Sequence, residues 1–503
     1  MMFDGVKYHL PSTLPHDRQL YLTALLTQHN ATRADSIFDA THIITNTDAL
    51  RFEGWQEMDS ENIAVVRELW VERSIAAGKM QKTSFYSASR SKIFSGVVAC
   101  SADLPLSDEE VLSNGITNLG GQWRMNLTKD VTHLFAASST SEKYRTGMSY
   151  RDQTHIKVLV PDWFDDTILL GLPDLSTEIY QWPDPVVLTQ RMNPTTQLKH
   201  SKKSNVWEGC RILLSTSLAL TGSRRKIVED GIRQAQGVPI AYISEDDEVT
   251  SEEEVRLLDD CDIFVTRYRA GLAFFKAWRK GKKIGTLNWL LDVQASGVQS
   301  SPLDQILHFP IPPGAIVGFE KHEISITNYT GESREYLKKL ITLMGGNFTP
   351  YLSVKATILV AAQLSGPKMT KAAEWSIPIV NHTWLEDCFL RWQNVTPTLP
   401  KYTSYPTSID FATTLDQIGM GPDIAKTVAA EVAKGGETSS SNQGADHKFG
   451  NAASHAKEIS GTSSLSNSPV PDVDEAPEII QKPKGRVTKS AKRTGKQARE
   501  LSS

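Results

Sequence analysis

Apolar and polar positions in the first four hundred residues recur in one order, four times over. Four segments place apolar or small residues at i, i+1, i+4, i+5 and usually i+8. They are Leu20, Tyr21, Ala24 and Leu25; Val111, Leu112, Gly115, Ile116 and Leu119; Ile227, Val228, Gly231, Ile232 and Ala235; and Tyr336, Leu337, Leu340, Ile341 and Met344. That spacing lays one stripe along a helix, so each segment predicts a helix with a single face on a core. Three of them run into glycine, at Gly120-Gly121, Gly237 and Gly345-Gly346, where a left-handed turn ends the helix. The first has His29-Asn30 instead, and Asn tolerates the same conformation.

Strand-like runs flank each helix. Before it come Phe3-Asp4-Gly5-Val6, Phe94-Ser95-Gly96-Val97-Val98, the run from Trp207 to Leu213, and Ile324-Ser325-Ile326-Thr327. After it come Thr41-His42-Ile43-Ile44, Thr132-His133-Leu134-Phe135, Asp262-Ile263-Phe264-Val265 and Thr357-Ile358-Leu359-Val360. A further β-rich run then leads to Trp70, Trp163, Trp289 or Trp384, which lie 50, 52, 62 and 48 residues beyond the first stripe residue. Strands alternating with helices over ~90 residues imply a small parallel sheet flanked by helices, built four times. The four tryptophans are expected in the core, and the Gly pairs are read as conformational. His42 and His133 are expected as structural residues within strands.

The order of strand, helix, Gly-Gly, Thr-His-Leu strand, short helix, strand and Trp-bearing helix resembles the BRCT domain. The second and fourth copies carry the resemblance best, through Gly120-Gly121, Thr132-His133-Leu134 and Trp163, and through Gly345-Gly346, Thr357-Ile358-Leu359 and Trp384. It implies an α/β chain of four BRCT-like units, each a small parallel four-stranded sheet flanked by helices. The expected units are 1–88, 91–182, 206–300 and 312–405, with a linker at 183–205, a weakly structured stretch at 406–434 and a disordered, basic-ended tail at 435–503. Four such units resemble the N-terminal block of fungal genome-stability scaffolds of the regulator-of-Ty-transposition type.

Charge changes the picture only at the end of the chain. The 503 residues carry 54 Lys+Arg against 58 Asp+Glu, a net of −4, which excludes a protein held to DNA by bulk charge. Residues 482–500 hold eight basic groups and the acid Glu500, a net of +7, so the remainder stands at −11. Such a tail reads as a nuclear-import or DNA-touching appendage on an acidic body. No apolar run approaches the ~18–20 residues that span a bilayer, and the opening residues lack a secretory pattern. Cys100, Cys210, Cys261 and Cys388 lie far apart, which argues against a zinc module. The expectation is a soluble, intracellular, multidomain chain without membrane contact, small-molecule substrate, metal or cofactor. Motifs for hydrolase, phosphatase, ligase or nucleotide-binding chemistry are absent, so the sequence reads as a non-enzyme.

The resemblance also implies a site. In BRCT domains that read phosphoserine or phosphothreonine, the first strand ends in Ser/Thr-Gly and a lysine opens the second helix; a hydroxyl, a backbone N–H and an ammonium then bind the phosphate. The fourth copy offers Thr327, the Asn328 backbone N–H and Lys368, with Asn328 in place of the usual Gly. The second offers Ser101 and Lys143, with Cys100 as the alternative occupant of the hydroxyl's place. Both candidates lie in the second member of a pair, whereas paired readers use the first. The expected role is a nuclear DNA-damage-response and replication-repair scaffold that docks phosphorylated or acidic peptide motifs of repair proteins. By resemblance its partners are a repair-nuclease scaffold, a ubiquitin-ligase component and subunits of an SMC complex, with chromatin as a further surface. The alternative is direct binding of DNA ends or forks through the basic tail.

Overall fold

The computed structural model describes residues 2–46, 63–189, 205–220, 222–242 and 251–437, the last with short breaks at 407–408, 410, 413–414, 416–417 and 422. The body of the 183–205 linker, and the basic tail from 438 on, lie outside the described residues.

Each apolar repeat becomes one four-stranded parallel sheet. The strands are β1 Lys7–His9, β2 Thr32–Arg33, β3 His42–Thr45 and β4 Ala64–Arg67; β5 Val98–Ala102, β6 Gln122–Arg124, β7 His133–Ala136 and β8 Lys157–Leu159; β9 Arg211–Leu214, β10 Val238–Pro239, β11 Ile263–Val265 and β12 Lys283–Gly285; and β13 Glu323–Thr327, β14 Asn347–Phe348, β15 Ile358–Ala361 and β16 Ile379–Val380. All four sheets share the order second, first, third, fourth strand, so the chain crosses over once and then winds outward. Helices after the first strand of every unit, and after the third strand of the second, third and fourth, cover the faces, as a parallel sheet requires.

Local details recur with the topology. The four tryptophans are almost wholly buried. Each indole N–H donates to a carbonyl eleven or twelve residues on: Trp70 to Gln81, Trp163 to Leu175, Trp289 to Ser300 and Trp384 to Val395. His42 and His133 stack on Trp70 and Trp163 with ring centres 4.9 Å apart. Burial lowers both imidazoles, His133 to about 3, which keeps them neutral packing groups. The chain turns at the helix ends through Gly120 and Gly345 at φ 92° and 89°, and through Asn30 at φ 72° in the first unit. At the neighbouring Gly121 a side chain would meet Ile116, and at Gly346 it would meet Phe319.

Three sequence expectations need correction. Phe3–Val6, Phe94–Gly96 and Trp207–Gly209 form turns that lead into the first strands. Their aromatic residues bond back to the end of the first helix, Phe3 N–H to His29 O, Phe94 N–H to Leu119 O and Trp207 N–H to Ala235 O. In the first helix the buried residues are Leu22 and Leu26, while Leu20 and Tyr21 are exposed. With Leu20, Tyr21, Leu22, Ala24, Leu25 and Leu26 all apolar, two stripes fit the sequence, and packing selects the later one. Finally, the stretch 406–434 is not weakly structured throughout. The helix Ile424–Glu437 buries Val428 and Val432 against the core of the third and fourth units.

The units do not behave as two separate pairs. The helix Leu106–Asn118 of the second unit packs on Leu287–Ser296 of the third, and one apolar cluster runs through both units. Buried Arg224 of the third unit pairs with Asp108 and Asp165 of the second, and Arg267 bonds Glu110 at 2.5 Å. Another cluster joins the third unit to the fourth. The fourth touches the first two through Lys82–Glu332 at 3.2 Å and Lys339 to Asn114 at 3.2 Å.

Candidate functional site

β13 ends at Thr327, which is buried, and Asn328 follows at φ 67°, the left-handed conformation that Gly adopts in the pattern. Asn328 does more than supply a backbone donor. Its Nδ2 donates to Gln363 O and Ser365 O, both at 3.1 Å, and its Oδ1 accepts from Thr327 Oγ1 at 3.0 Å. The side chain thereby ties the end of β13 to the loop before the helix Pro367–Glu374.

Lys368 is the second residue of that helix and is 1% exposed. Its ammonium donates to Pro350 O at 2.8 Å, Ile326 O at 3.0 Å and Ser325 Oγ at 3.2 Å. The lysine is held in place by its own unit, not extended into solvent. A buried ammonium needs such acceptors because it has lost its water.

The structure adds a residue that the motif did not name. Arg334, on the helix Gly331–Leu343, is 2% exposed and donates to the same Ile326 oxygen at 3.3 Å. Lys338 lies one turn further along and is fully buried; both cations sit over the Phe348 ring, at 5.6 and 4.9 Å. Helical side chains lean toward the helix N-terminus, which brings Arg334 back to the strand end. Glu335 of the same helix pairs with Lys338 at 3.0 Å and accepts the Met125 N–H at 3.3 Å. The result is a guanidinium and an ammonium meeting on the Ile326 oxygen next to Thr327 in the chain, with the Lys338 ammonium between Glu335 and the Phe348 ring.

Behind this strand end lies a buried polar group. The Tyr329 hydroxyl meets His382 Nδ1 at 3.0 Å, and Tyr336 donates to Glu386 at 3.2 Å. Burial lowers His382 to about 4 and raises Glu386 to about 7, so both favour their neutral forms.

The second unit repeats the scaffold with one difference. Lys143, also the second residue of its helix, donates to Met125 O at 2.8 Å and Ser101 O at 3.2 Å, the counterparts of Pro350 O and Ile326 O. Register then places Ser101 with Ile326 and Ala102 with Thr327, because Ser101 pairs with Phe135 and Ile326 with Val360 in the equivalent positions. Adjacent strand residues point to opposite faces, so the Ser101 hydroxyl faces away from the place Thr327 fills. Cys100, the other candidate, registers with Ser325 and is buried. Arg267 and Arg269 of the third unit are engaged with Glu110 and Glu431. Among the described residues, no group of three or more His, Cys, Asp or Glu could hold a metal, and no helix is long and apolar enough to cross a membrane.

The second and fourth units, which share the lysine at the second position of the helix, are also the two that match the twin BRCT domain family, over residues 97–163 and 322–384. With four sheets of one topology, the chain has the fold of four BRCT-like units, and the second and fourth carry the sequence match to the BRCT family. Within that class it resembles the four-BRCT block of fungal genome-stability scaffolds. BRCT-containing protein 1 of Schizosaccharomyces pombe is 29% identical over 375 residues, covering 74% of this chain and 41% of that protein. Regulator of Ty1 transposition protein 107 of Saccharomyces cerevisiae is 28% identical over 145 residues, 27% of this chain and 13% of that protein. Crystal structures of yeast Rtt107 with Mms22 and with Slx4 each match with a TM-score of 0.57 at 16% identity, a likeness of fold. They cover 85% and 83% of this chain and 99% and 98% of theirs. The chain thus spans well under half the length of the curated relatives it matches.

Proposed function

We propose that this chain is a nuclear scaffold of the DNA-damage and replication-repair response, and that its fourth unit binds phosphorylated peptide motifs of repair proteins. The observation that carries this reading is the meeting of Arg334 and Lys368 on one strand-end oxygen beside Thr327. A phosphate dianion there would take the Thr327 hydroxyl, the Asn328 N–H and the planar Arg334 fork, with Lys368 supplying a fixed charge behind them. The fold likeness to Rtt107, whose structures include Mms22 and Slx4, supports segments of such proteins as ligands. SMC-complex subunits and chromatin are further partners on the same reading. The second unit keeps Lys143 but has Ala102 at the hydroxyl's place, so its contribution is a plain acidic dock.

Fluorescence anisotropy of the full chain with matched phosphorylated and unphosphorylated Slx4 and Mms22 peptides tests this. Phosphate-dependent binding that is lost in Arg334→Gln and Thr327→Val supports it; equal binding of both peptide forms, indifferent to either change, sinks it. The competing reading is DNA binding by residues 482–500. It predicts a steep loss of affinity with salt and complete loss on truncation after 437, whereas peptide docking survives both.

A further inference from the structure

The end of β9 in the third unit repeats the strand end of the fourth with different occupants. Val265 pairs with Leu214 and with Gly285, four residues before Trp289; Val360 pairs with Ile326 and with Val380, four residues before Trp384. Register therefore matches Leu214 with Ile326, Ser215 with Thr327 and Thr216 with Asn328. Arg225 and Arg334 are each the fourth residue of a 13-residue helix, Gly222–Gln234 and Gly331–Leu343. They donate to the matched oxygens, Leu214 O at 3.4 Å and Ile326 O at 3.3 Å.

Two groups differ. Where Lys368 holds Ile326 O, the Tyr242 hydroxyl donates to Leu214 O at 2.8 Å, with the Arg225 guanidinium over its ring at 5.1 Å. Ser215 is buried, and its hydroxyl donates to Ser217 Oγ at 2.8 Å. The second difference is a carboxylate. Glu254, on the helix Ser251–Leu257, accepts the Thr216 N–H at 3.2 Å and the Thr216 hydroxyl at 2.8 Å. One backbone N–H and one hydroxyl on a single anion is the donor pair that the proposed site of the fourth unit offers a phosphate. Burial and the Glu254 charge push the Tyr242 hydroxyl up while Arg225 draws it down, so the three groups are neighbours. Glu254 is 5% exposed, whereas Thr216, Arg225 and Tyr242 are half-buried, so the strand end keeps contact with solvent around the seated carboxylate.

We propose that Glu254 is a built-in surrogate for phosphate, which occupies the strand end of the third unit from within the chain and closes it to phosphorylated ligands. The proposal rests on the reading of the matching strand end in the fourth unit as a phosphate site. A carboxylate brings one negative charge and two acceptor oxygens, enough for the two Thr216 donors. A phosphate monoester brings nearly two charges and three acceptor oxygens, and the planar Arg225 fork suits the third. Glu254 is thus the weaker anion for this seat. It holds the seat because a group fixed on a neighbouring helix binds without the loss of translational freedom that a separate ligand suffers.

Amide hydrogen exchange of the full chain, with and without inorganic phosphate, tests both strand ends at once. In the parent, the Thr216 N–H should be protected and indifferent to phosphate; added protection from phosphate would overturn the closure. In Glu254→Ala it should exchange about 10–100-fold faster, the range for a lost charge-assisted bond, and phosphate should restore the protection. Adding Arg225→Gln should abolish that rescue. Faster exchange that phosphate leaves unchanged reduces Glu254 to a structural bond and overturns the surrogate, as does exchange that Glu254→Ala leaves unchanged. If the alanine chain does not fold, Glu254→Gln replaces it, a neutral occupant of the same volume, and the same outcomes decide. Phosphate-dependent protection at Asn328 in the parent reports on the fourth unit separately. Rescue at Thr216 with no effect at Asn328 keeps the surrogate and sinks the fourth-unit reading; an effect at Asn328 with no rescue at Thr216 does the reverse.

Discussion

At the scale of single residues, Arg334 and Lys368 do different work although they share an acceptor. Lys368 has three acceptors within its own unit, so its charge is fixed before any ligand arrives. Arg334 carries a planar guanidinium, whose fork of N–H donors matches a phosphate better than an ammonium does. Replacing Arg334 by Gln should reduce phosphopeptide affinity by about 10–100-fold, matching the ~1.5–3 kcal/mol of a charge-assisted bond, and should also cost some stability, because Arg334 is buried and donates to Ile326 O. Lys368→Met should cost stability, about 1–3 kcal/mol, since the Ile326 and Pro350 carbonyls lose a buried donor. Denaturant melts beside anisotropy titrations check both, and a Lys368→Met chain as stable as the parent would remove the lysine's structural role. Sequence pattern singled out Thr327, Asn328 and Lys368 for the proposed site and passed over Arg334, because one Arg on the polar side of a helix looks like an ordinary solvated charge. The available signal was its place one turn into the helix that follows the strand end, with Lys338 four residues on. Ser101 was misplaced for a simpler reason: one position of register along a strand reverses the face.

At the scale of elements, the strand–helix alternation was legible because each apolar run has a single partner layer. The first helix was misread where apolar residues fill both possible stripes, and Ile424–Glu437 was missed because its Ala and Gly content hides Val428 and Val432. The fourth unit also carries a titration that its helices share. Glu386 titrates near 7 in the folded chain and near 4.5 when unfolded, so its contribution is full below pH 4.5 and lost as pH rises toward 7. His382 runs the other way, with stability present above 6.5 and lost as pH falls through about 4. Glu386→Gln should raise the thermal midpoint relative to the parent at pH 8 but not at pH 4.5. The difference should reach on the order of 3 kcal/mol, and an offset constant from pH 4.5 to 8 would contradict it.

At the scale of the whole molecule, the third unit is the keystone, sharing one core cluster with the second and another with the fourth. Arg224 is 4% exposed and meets two aspartates across the first of these joints. Arg224→Ala strands Asp108 and Asp165, and the expected cost is about 3–5 kcal/mol. Hydrogen exchange should then rise on both Leu106–Asn118 and Leu287–Ser296, and exchange confined to the third unit would contradict a joint that stabilises both. The sequence could not show this assembly, since helix stripes reveal that a face is buried but not which unit buries it.

That joint bears on where the polypeptide can be divided. The second and third units are consecutive in the chain only through 190–204, yet their contact is an apolar core with buried ion pairs. A cut within 190–204, by a protease or by fission of the gene, would therefore yield two polypeptides that still travel as one particle and elute together in gel filtration. The stretch between these two units is a place where the chain can end and begin again without the molecule coming apart.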